Sequence, residues 1–408
     1  DFTINNTPEL GRATFPGPVM AALALDGLPT PPGLTLRVSV ARNGSVIVAA
    51  AYTNTRTIVR AYDSDLSNPR TLLSDTTGNV SITDLAVSPD GSLAAVTVEL
   101  DTDIAHRLHV IATDGLSAHK PLHPDTGNSN LDSDWILWSR DYDHFLFRGD
   151  LTTNNQNQAW VVDDTVASPS PVELTSGLPM TNGKGVNDLV GFDSAGKVYF
   201  QSDHVTDGRD LLYRADTDGD NFEEVPFTAA LTNDDGQARI GKCAFNAAGT
   251  KLAFSADSPV ADTLQVFTTT IASPSPAVVF AVISSTAQVR GPERNNPMVW
   301  SPDDTLLAVG ADWEDGESDT ALYVLPSSGT AGGTKLLAAP SGGDVAALAF
   351  SLDSASLFAA GNLDAVGDTK LYHLSDLTTA SQTASERILQ DVPTNGYIQS
   401  ESLHAVAY

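Results

Sequence analysis

A four-residue turn recurs seven times along these 408 residues. The copies are Ala41-Arg42-Asn43-Gly44, Ser88-Pro89-Asp90-Gly91, Ser139-Arg140-Asp141-Tyr142, Asp193-Ser194-Ala195-Gly196, Asn246-Ala247-Ala248-Gly249, Ser301-Pro302-Asp303-Asp304 and Ser351-Leu352-Asp353-Ser354. Their last residues fall at intervals of 47 to 55. A repeat of that length means one supersecondary unit copied along the chain, each copy unable to bury its apolar face alone.

The flanks say what the unit is. Before each turn run two bulky columns: Val38, Leu85, Ile136, Val190, Cys243, Met298 and Leu348, then Val40, Val87, Trp138, Phe192, Phe245, Trp300 and Phe350. Between them stands a mostly smaller residue, such as Ser39, Ala86, Gly191 or Ala244. Alternate strand residues point to opposite faces, so the bulky columns share one face. A second apolar run follows each turn, as in Leu306-Leu307-Ala308-Val309, making a hairpin. Asp-Gly and Asn-Gly supply the positive φ of tight turns. Third strands read as Ile58–Tyr62, Leu108–Ala112, Ala159–Val162, Leu211–Arg214, Leu264–Phe267, Leu322–Leu325 and Leu371–Leu374, with a shorter fourth as at Arg70–Leu73. The expected fold is an all-β, seven-bladed β-propeller of four-stranded antiparallel blades. It forms one domain, 1–408, with blades at about 34–75, 79–124, 130–176, 184–230, 237–282, 290–338 and 342–390. The ends, 1–33 and 391–408, are expected to close the ring, Val19–Leu25 and His404–Tyr408 pairing with each other or with the terminal blades.

The strings Val299-Trp300-Ser301-Pro302-Asp303-Asp304-Thr305-Leu306 and Ala86-Val87-Ser88-Pro89-Asp90-Gly91 resemble the TolB-type, WD-repeat-like propeller blade. The third strands Leu322-Tyr323-Val324-Leu325 and Leu371-Tyr372-His373-Leu374 are similar to its usual third strand. The resemblance spans roughly Leu34 to Leu389 and implies the propeller alone, without the α/β domain that precedes it in TolB. Prolyl-oligopeptidase-like enzymes and some metal-dependent pectate-type lyases carry related propellers. The first append a hydrolase domain with a G-x-S-x-G elbow, which this sequence lacks.

Charge narrows the function. Lys and Arg number 22 against 51 Asp and Glu, a net charge of −29. That excludes recognition of nucleic-acid phosphate and of anionic membrane surfaces. No apolar run reaches the length of a membrane span. Cys243 is the single cysteine, so no internal disulfide is expected, and its column makes it a buried apolar residue. Abundant Thr, Ser, Asn and Asp with few Lys, and a first residue Asp1, point to an exported, processed bacterial protein. Its expected place is the periplasm or the extracellular space, as a monomer, with surface anchoring left open.

Acids concentrate in the loops between second and third strands: Glu99, Asp101 and Asp103; Asp203, Asp207 and Asp210; Asp257 and Asp262; Asp364 and Asp368. The sixth unit carries Asp312, Glu314, Asp315, Glu317 and Asp319 around Trp313. Such a face can be a solvated surface, can steer a basic partner, or can offer oxygen ligands to Ca²⁺. Trp313 among acids can anchor a protein or a sugar ring. Asp216, Asp218 and Asp220 begin a calcium-loop pattern, but Gly219 and Phe227 break its later positions. His106 and His109 would point to opposite faces of a strand, and His119 and His123 read as loop residues. Trp135, Trp138, Trp160 and Trp300 read as core. No catalytic constellation is complete. The expected function is a non-catalytic scaffold binding a protein or glycan partner through Trp313 and the acids beside it. The alternative is a metal-dependent polysaccharide lyase, lactonase or hydrolase with its site at the central funnel.

Overall fold

The computed structural model describes residues 9–12, 21–24, 35–41, 45–53, 56–64, 67–75, 82–98, 107–122, 133–139, 141, 143–152, 156–165, 170–176, 178, 185–204, 209–234, 236–259, 264–280, 297–312, 320–328, 333–338, 340, 343–351, 353–363, 370–380, 382 and 388–391. The chain divides into two compact units, Asp1–Leu189 and Val190–Tyr408.

The first unit opens on a hairpin of β1 (Glu9–Arg12) and β2 (Ala21–Ala24). Sheet 1 is β3 (Thr35–Val40), β4 (Val46–Thr53), β5 (Arg56–Asp63) and β6 (Arg70–Asp75). Sheet 2 is β7 (Ile82–Val87), β8 (Leu93–Val98), β9 (Arg107–Ala112) and β10 (Lys120–Pro121). Sheet 3 is β11 (Ser133–Trp138), β12 (His144–Gly149), β13 (Gln158–Asp163) and β14 (Val172–Glu173). The unit boundary falls inside β15 (Val186–Phe192), which begins sheet 4 with β16 (Val198–Ser202), β17 (Leu211–Ala215) and β18 (Glu223–Glu224).

In the second unit a short helix α1 (Pro226–Ala229) and a hairpin of β19 (Thr232–Asn233) and β20 (Gly236–Gln237) follow. Sheet 5 is β21 (Ile240–Phe245), β22 (Lys251–Ala256), β23 (Gln265–Thr270) and β24 (Ala277–Phe280). Sheet 6 is β25 (Met298–Trp300), β26 (Leu306–Ala311), β27 (Ala321–Pro326) and β28 (Thr334–Leu337). Sheet 7 is β29 (Val345–Phe350), β30 (Leu357–Gly361), β31 (Lys370–Leu374) and β32 (Ile388–Asp391). Every sheet runs in simple meander order.

The repeated turn explains each first hairpin. Its fourth residue is left-handed at Gly91 (φ 80°), Gly196 (82°), Gly249 (64°), Asp304 (60°) and Ser354 (60°). The N–H of that residue donates to the carbonyl of the first, as Gly91 does to Ser88 and Asp304 to Ser301, both at 2.9 Å. The first residue also works through its side chain. Ser88 Oγ donates to Asp90 (2.6 Å) and accepts the Leu93 N–H (2.9 Å); Ser301 does the same with Asp303 and Leu306. At Asp193 and Asn246 a carboxylate or amide oxygen takes over, accepting the N–H groups of Lys197 and Lys251. One chemistry with several side chains thus closes the turns that begin at Ser88, Ser139, Asp193, Asn246, Ser301 and Ser351.

The alternation also holds. Met298 and Trp300 pack with Ala253 and Val266 of sheet 5, while Val299 packs with Leu348 and Phe350 of sheet 7. Leu85 and Val87 pack with Val48 and Val59 of sheet 1, while Ala86 lies against Ile136 and Phe145 of sheet 3. The bulky columns thus meet the preceding sheet and the smaller column the next. Cys243 is a buried thiol. Trp160 and Trp300 are core, but Trp135 and Trp138 are half-buried. Trp135 sits at a bulge of β11 with φ 46° and the Arg148 guanidinium 3.8 Å above its ring.

β2 pairs with β1, Leu10 opposite Leu23. A short loop closes at lower entropy cost than pairing across the chain. His404–Tyr408 lies outside the described residues.

Candidate functional site

In a meander sheet, the loop leaving the second strand and the chain entering the first share one edge. The structure ties these together between neighbouring sheets. The Ile240 N–H donates to the Asp210 carbonyl (2.9 Å) and the Thr320 N–H to the Gly343 carbonyl (2.9 Å). In the first unit the Val186 N–H does the same to Asn157 (2.8 Å).

At this edge a carboxylate recurs directly after the second strand: Asp150 after β12, Asp203 after β16, Asp257 after β22 and Asp312 after β26. All four are buried, and Asn362 holds the position after β30. Asp257 shows what the position does. Its Oδ1 accepts the Arg239 N–H, and its own N–H donates to the Arg239 carbonyl (3.1 Å). The carboxylate extends the ladder one step past its last strand residue. Asp203, Asp257 and Asp312 stand out in the sequence as loop acids; Asp150 does not, because it lies among few other acids.

Asp312 is the one proposed anchor of the sixth loop that can be placed, buried at the end of β26. Trp313, Glu314, Asp315, Glu317 and Asp319 lie outside the described residues, as do Glu99, Asp101, Asp103, Asp207, Asp262, Asp364 and Asp368.

Sheet 4 carries a polar cluster near this edge. His204 follows Asp203 and is buried, its Nδ1 3.3 Å from Ser202 Oγ. Its ring centroid is 4.6 Å from that of Tyr213, which stacks on Phe222 at 5.4 Å and 9°. Tyr213 pairs across strands with Glu224. Burial, then the Glu224 charge, pushes the Tyr213 phenol far above its usual range, so it keeps its proton. Burial also raises Glu224, against a hydrogen bond donated by the Gln237 amide. Gln237 lies on the hairpin after α1, and Ser258 Oγ holds that hairpin by donating to the Thr232 carbonyl (2.8 Å). The cluster offers an aromatic wall, a phenol that keeps its proton and so can donate a hydrogen bond, and an imidazole. Its His204 is visible in the sequence; Tyr213 and Glu224 read there only as strand residues.

Asp216, Asp218 and Asp220 form the turn between β17 and β18, at the opposite edge. Asp216 binds Lys197 through one carboxylate oxygen and Asn221 through the other, both at 2.5 Å. Those bonds, Lys197 foremost, hold its carboxyl below the ordinary value. Asp218 Oδ1 accepts the Asp220 N–H (3.0 Å), and the Asp216 N–H donates to the Asp220 carbonyl (2.9 Å). The three acids therefore serve the turn and its ion pair. Among the described residues no three of His, Cys, Asp and Glu stand together as metal ligands.

No protein-family model matches the chain, and no curated protein matches it. Solved structures do. An oligogalacturonate lyase in complex with manganese is 12% identical, with a TM-score of 0.55, over 90% of this chain and 96% of that one. A structure from a study of two prolyl endopeptidases is 12% identical with a TM-score of 0.56. It is matched over 84% of this chain, which spans about half of it (48%). The fold is a β-propeller. A TolB candidate from Agrobacterium tumefaciens is 18% identical over 65% of this chain, but its TM-score of 0.36 is too low to carry weight. Identities this low speak for the fold alone. No helix among the described residues is long and apolar enough to cross a membrane.

Proposed function

We propose that this propeller, with its seven four-stranded sheets as seven blades, is a non-catalytic binding scaffold of the bacterial periplasm or extracellular space. It engages a basic protein surface, or a glycan, through the loops that leave the second strands. The observation that carries the reading is the gathering of acids in the loops of that edge, which begin at the buried Asp150, Asp203, Asp257 and Asp312 and to which the sequence adds Glu314, Asp315, Glu317 and Asp319. The net charge of −29 gives the molecule a field that steers cationic partners. Trp313, with Glu314, Asp315, Glu317 and Asp319, supplies the anchor and its acidic rim. The test is capture from envelope extract by the wild type and by a variant with Trp313→Ala and the four acids changed to Asn or Gln. A specific partner is expected to be lost from the variant, and its association rate with the wild type to fall as salt rises. Equal capture by both proteins removes this site from the reading.

One observation favours a second reading. His204, buried beside Tyr213 and Asp203, places an imidazole at the same edge, where a metal-dependent lyase or hydrolase would need a base. Incubation with oligogalacturonate and Mn²⁺, followed by ultraviolet absorbance of an unsaturated product, tests it. Product formation that disappears in His204→Ala would replace the scaffold reading.

A further inference from the structure

We infer that His109 and His119, in sheet 2, form a two-imidazole site for a divalent transition-metal ion. The site is independent of the loop edge described above. β9 and β10 pair with His109 opposite Pro121 and Val110 opposite Lys120. His119 is therefore the diagonal neighbour of His109, a position within reach of long side chains. His109 is 2% exposed, while His119 stands at the surface above it. Their Nδ1 atoms face each other at 3.0 Å, with ring centroids 4.9 Å apart and planes at 64°.

Two imidazole lone pairs do not rest at that distance with nothing positive between them. A proton on one ring satisfies the pair. So does a metal ion, which replaces that proton when both rings carry hydrogen on Nε2. At metal–nitrogen distances of about 2.0–2.1 Å, a 3.0 Å separation subtends roughly 95° at the metal, suitable for adjacent ligands. Two protein ligands do not close a coordination shell, and no third His, Cys, Asp or Glu joins them among the described residues. The exposed side of His119 leaves the other positions to water. Such a site is open and exchangeable, and imidazole nitrogen selects Cu²⁺ and Zn²⁺ over the hard ions Ca²⁺ and Mg²⁺.

The experiment is calorimetric titration of the full chain with Cu²⁺ and with Zn²⁺, at about pH 7.5 and about pH 5.5. One ion should bind per chain, Cu²⁺ more tightly than Zn²⁺, and at least about tenfold more weakly at the lower pH, where protons compete for the rings. His119→Ala changes only an exposed ring, so circular dichroism should match the wild type while affinity falls at least about tenfold. His144→Ala, in sheet 3, should leave binding unchanged. The electron paramagnetic resonance spectrum of the Cu²⁺ form should show two nitrogen ligands, dropping to one or none in His119→Ala. Absence of binding by the wild type, or equal binding by His119→Ala, overturns the site and leaves the pair as a hydrogen bond.

Discussion

Replacing Ser301 by Ala tests whether the recurring turn is held by its first side chain. Ser301 is buried, and its Oγ donates to Asp303 at 2.6 Å while accepting the Leu306 N–H at 2.9 Å. Alanine leaves that N–H without its acceptor, which costs roughly 1–3 kcal/mol when the group is buried. Leu306 is half-buried, so water recovers part of the loss, and about 2 kcal/mol is expected. Asp303 adds a pH signature. Its burial pushes the carboxyl up, but hydrogen bonds from Ser301 and Thr305 outweigh that and hold it below the ordinary value. A depressed carboxyl stabilises the folded state fully above its unfolded pKa, about 3.9, and the gain is lost as pH falls through the folded value. The gap between wild type and Ser301→Ala should therefore narrow in strong acid by the Asp303 contribution, while the Leu306 contribution remains. The assay is urea unfolding followed by tryptophan fluorescence, with amide hydrogen exchange at Leu306 as the local readout. The double variant Ser301→Ala/Asp303→Ala should cost less than the sum of the singles, because the two side chains act as one unit. A loss below about 0.5 kcal/mol at unchanged m-value, with Leu306 protection intact, would refute the reasoning.

Four further outcomes follow from the geometry of the sheets. Burial raises Glu224, so its charge opposes folding as pH climbs above the usual carboxylate range; Glu224→Gln should be more stable than wild type near neutrality and equal to it in acid, by thermal melts across pH. Gly361→Ala would drive a Cβ into the backbone carbonyl of Asp344 and should abolish soluble expression or cost more than about 3 kcal/mol. Gly196→Ala meets nothing within 4 Å and pays only for its φ of +82°, so about 1–2 kcal/mol is expected in the same urea assay. Asp257→Ala should lose about 1.5–3 kcal/mol by leaving the Arg239 N–H without its acceptor, and Asp257→Asn distinctly less, since its amide oxygen still accepts.

What could be read from the sequence was whatever repeats. The turns, the bulky columns and the third strands each recur, so one copy checks another: Leu322–Leu325 falls inside β27 and Leu371–Leu374 inside β31. What could not be read occurs once. Helix α1 is four residues with Pro226 first, and the β19–β20 hairpin two residues a side, both too short to show a period. First-strand bulges recur in sheets 2, 3, 5 and 7, but among the described residues only the one at Trp135 holds a bulky residue at positive φ, 46°, which no local signal announces. His109 and His119 lie ten residues apart, and only the register of β10 on β9 brings them together. At the candidate site, the loop acids were legible as a count. The cross-strand pairing of Tyr213 with Glu224 was not, since it depends on register.

The structure also separates two populations of acid that a net charge of −29 merges. Asp90, Asp141, Asp303 and Asp353 each accept from the serine two residues before them, at 2.5–2.6 Å. All four are held below the ordinary carboxyl value, with the Ser139 hydrogen bond the largest cause at Asp141 and the Ser351 bond at Asp353. Their charge is engaged by the chain's own turns. Asp203, Asp257 and Asp312 lie at the opposite edge, where the loops of neighbouring sheets meet. Neutralising turn acids should therefore lower stability and leave partner affinity alone. Neutralising the loop acids Glu314, Asp315, Glu317 and Asp319 should do the reverse. A partner whose affinity tracked the turn acids would bind the other edge of the sheets, and the acidic-loop reading would fall with it.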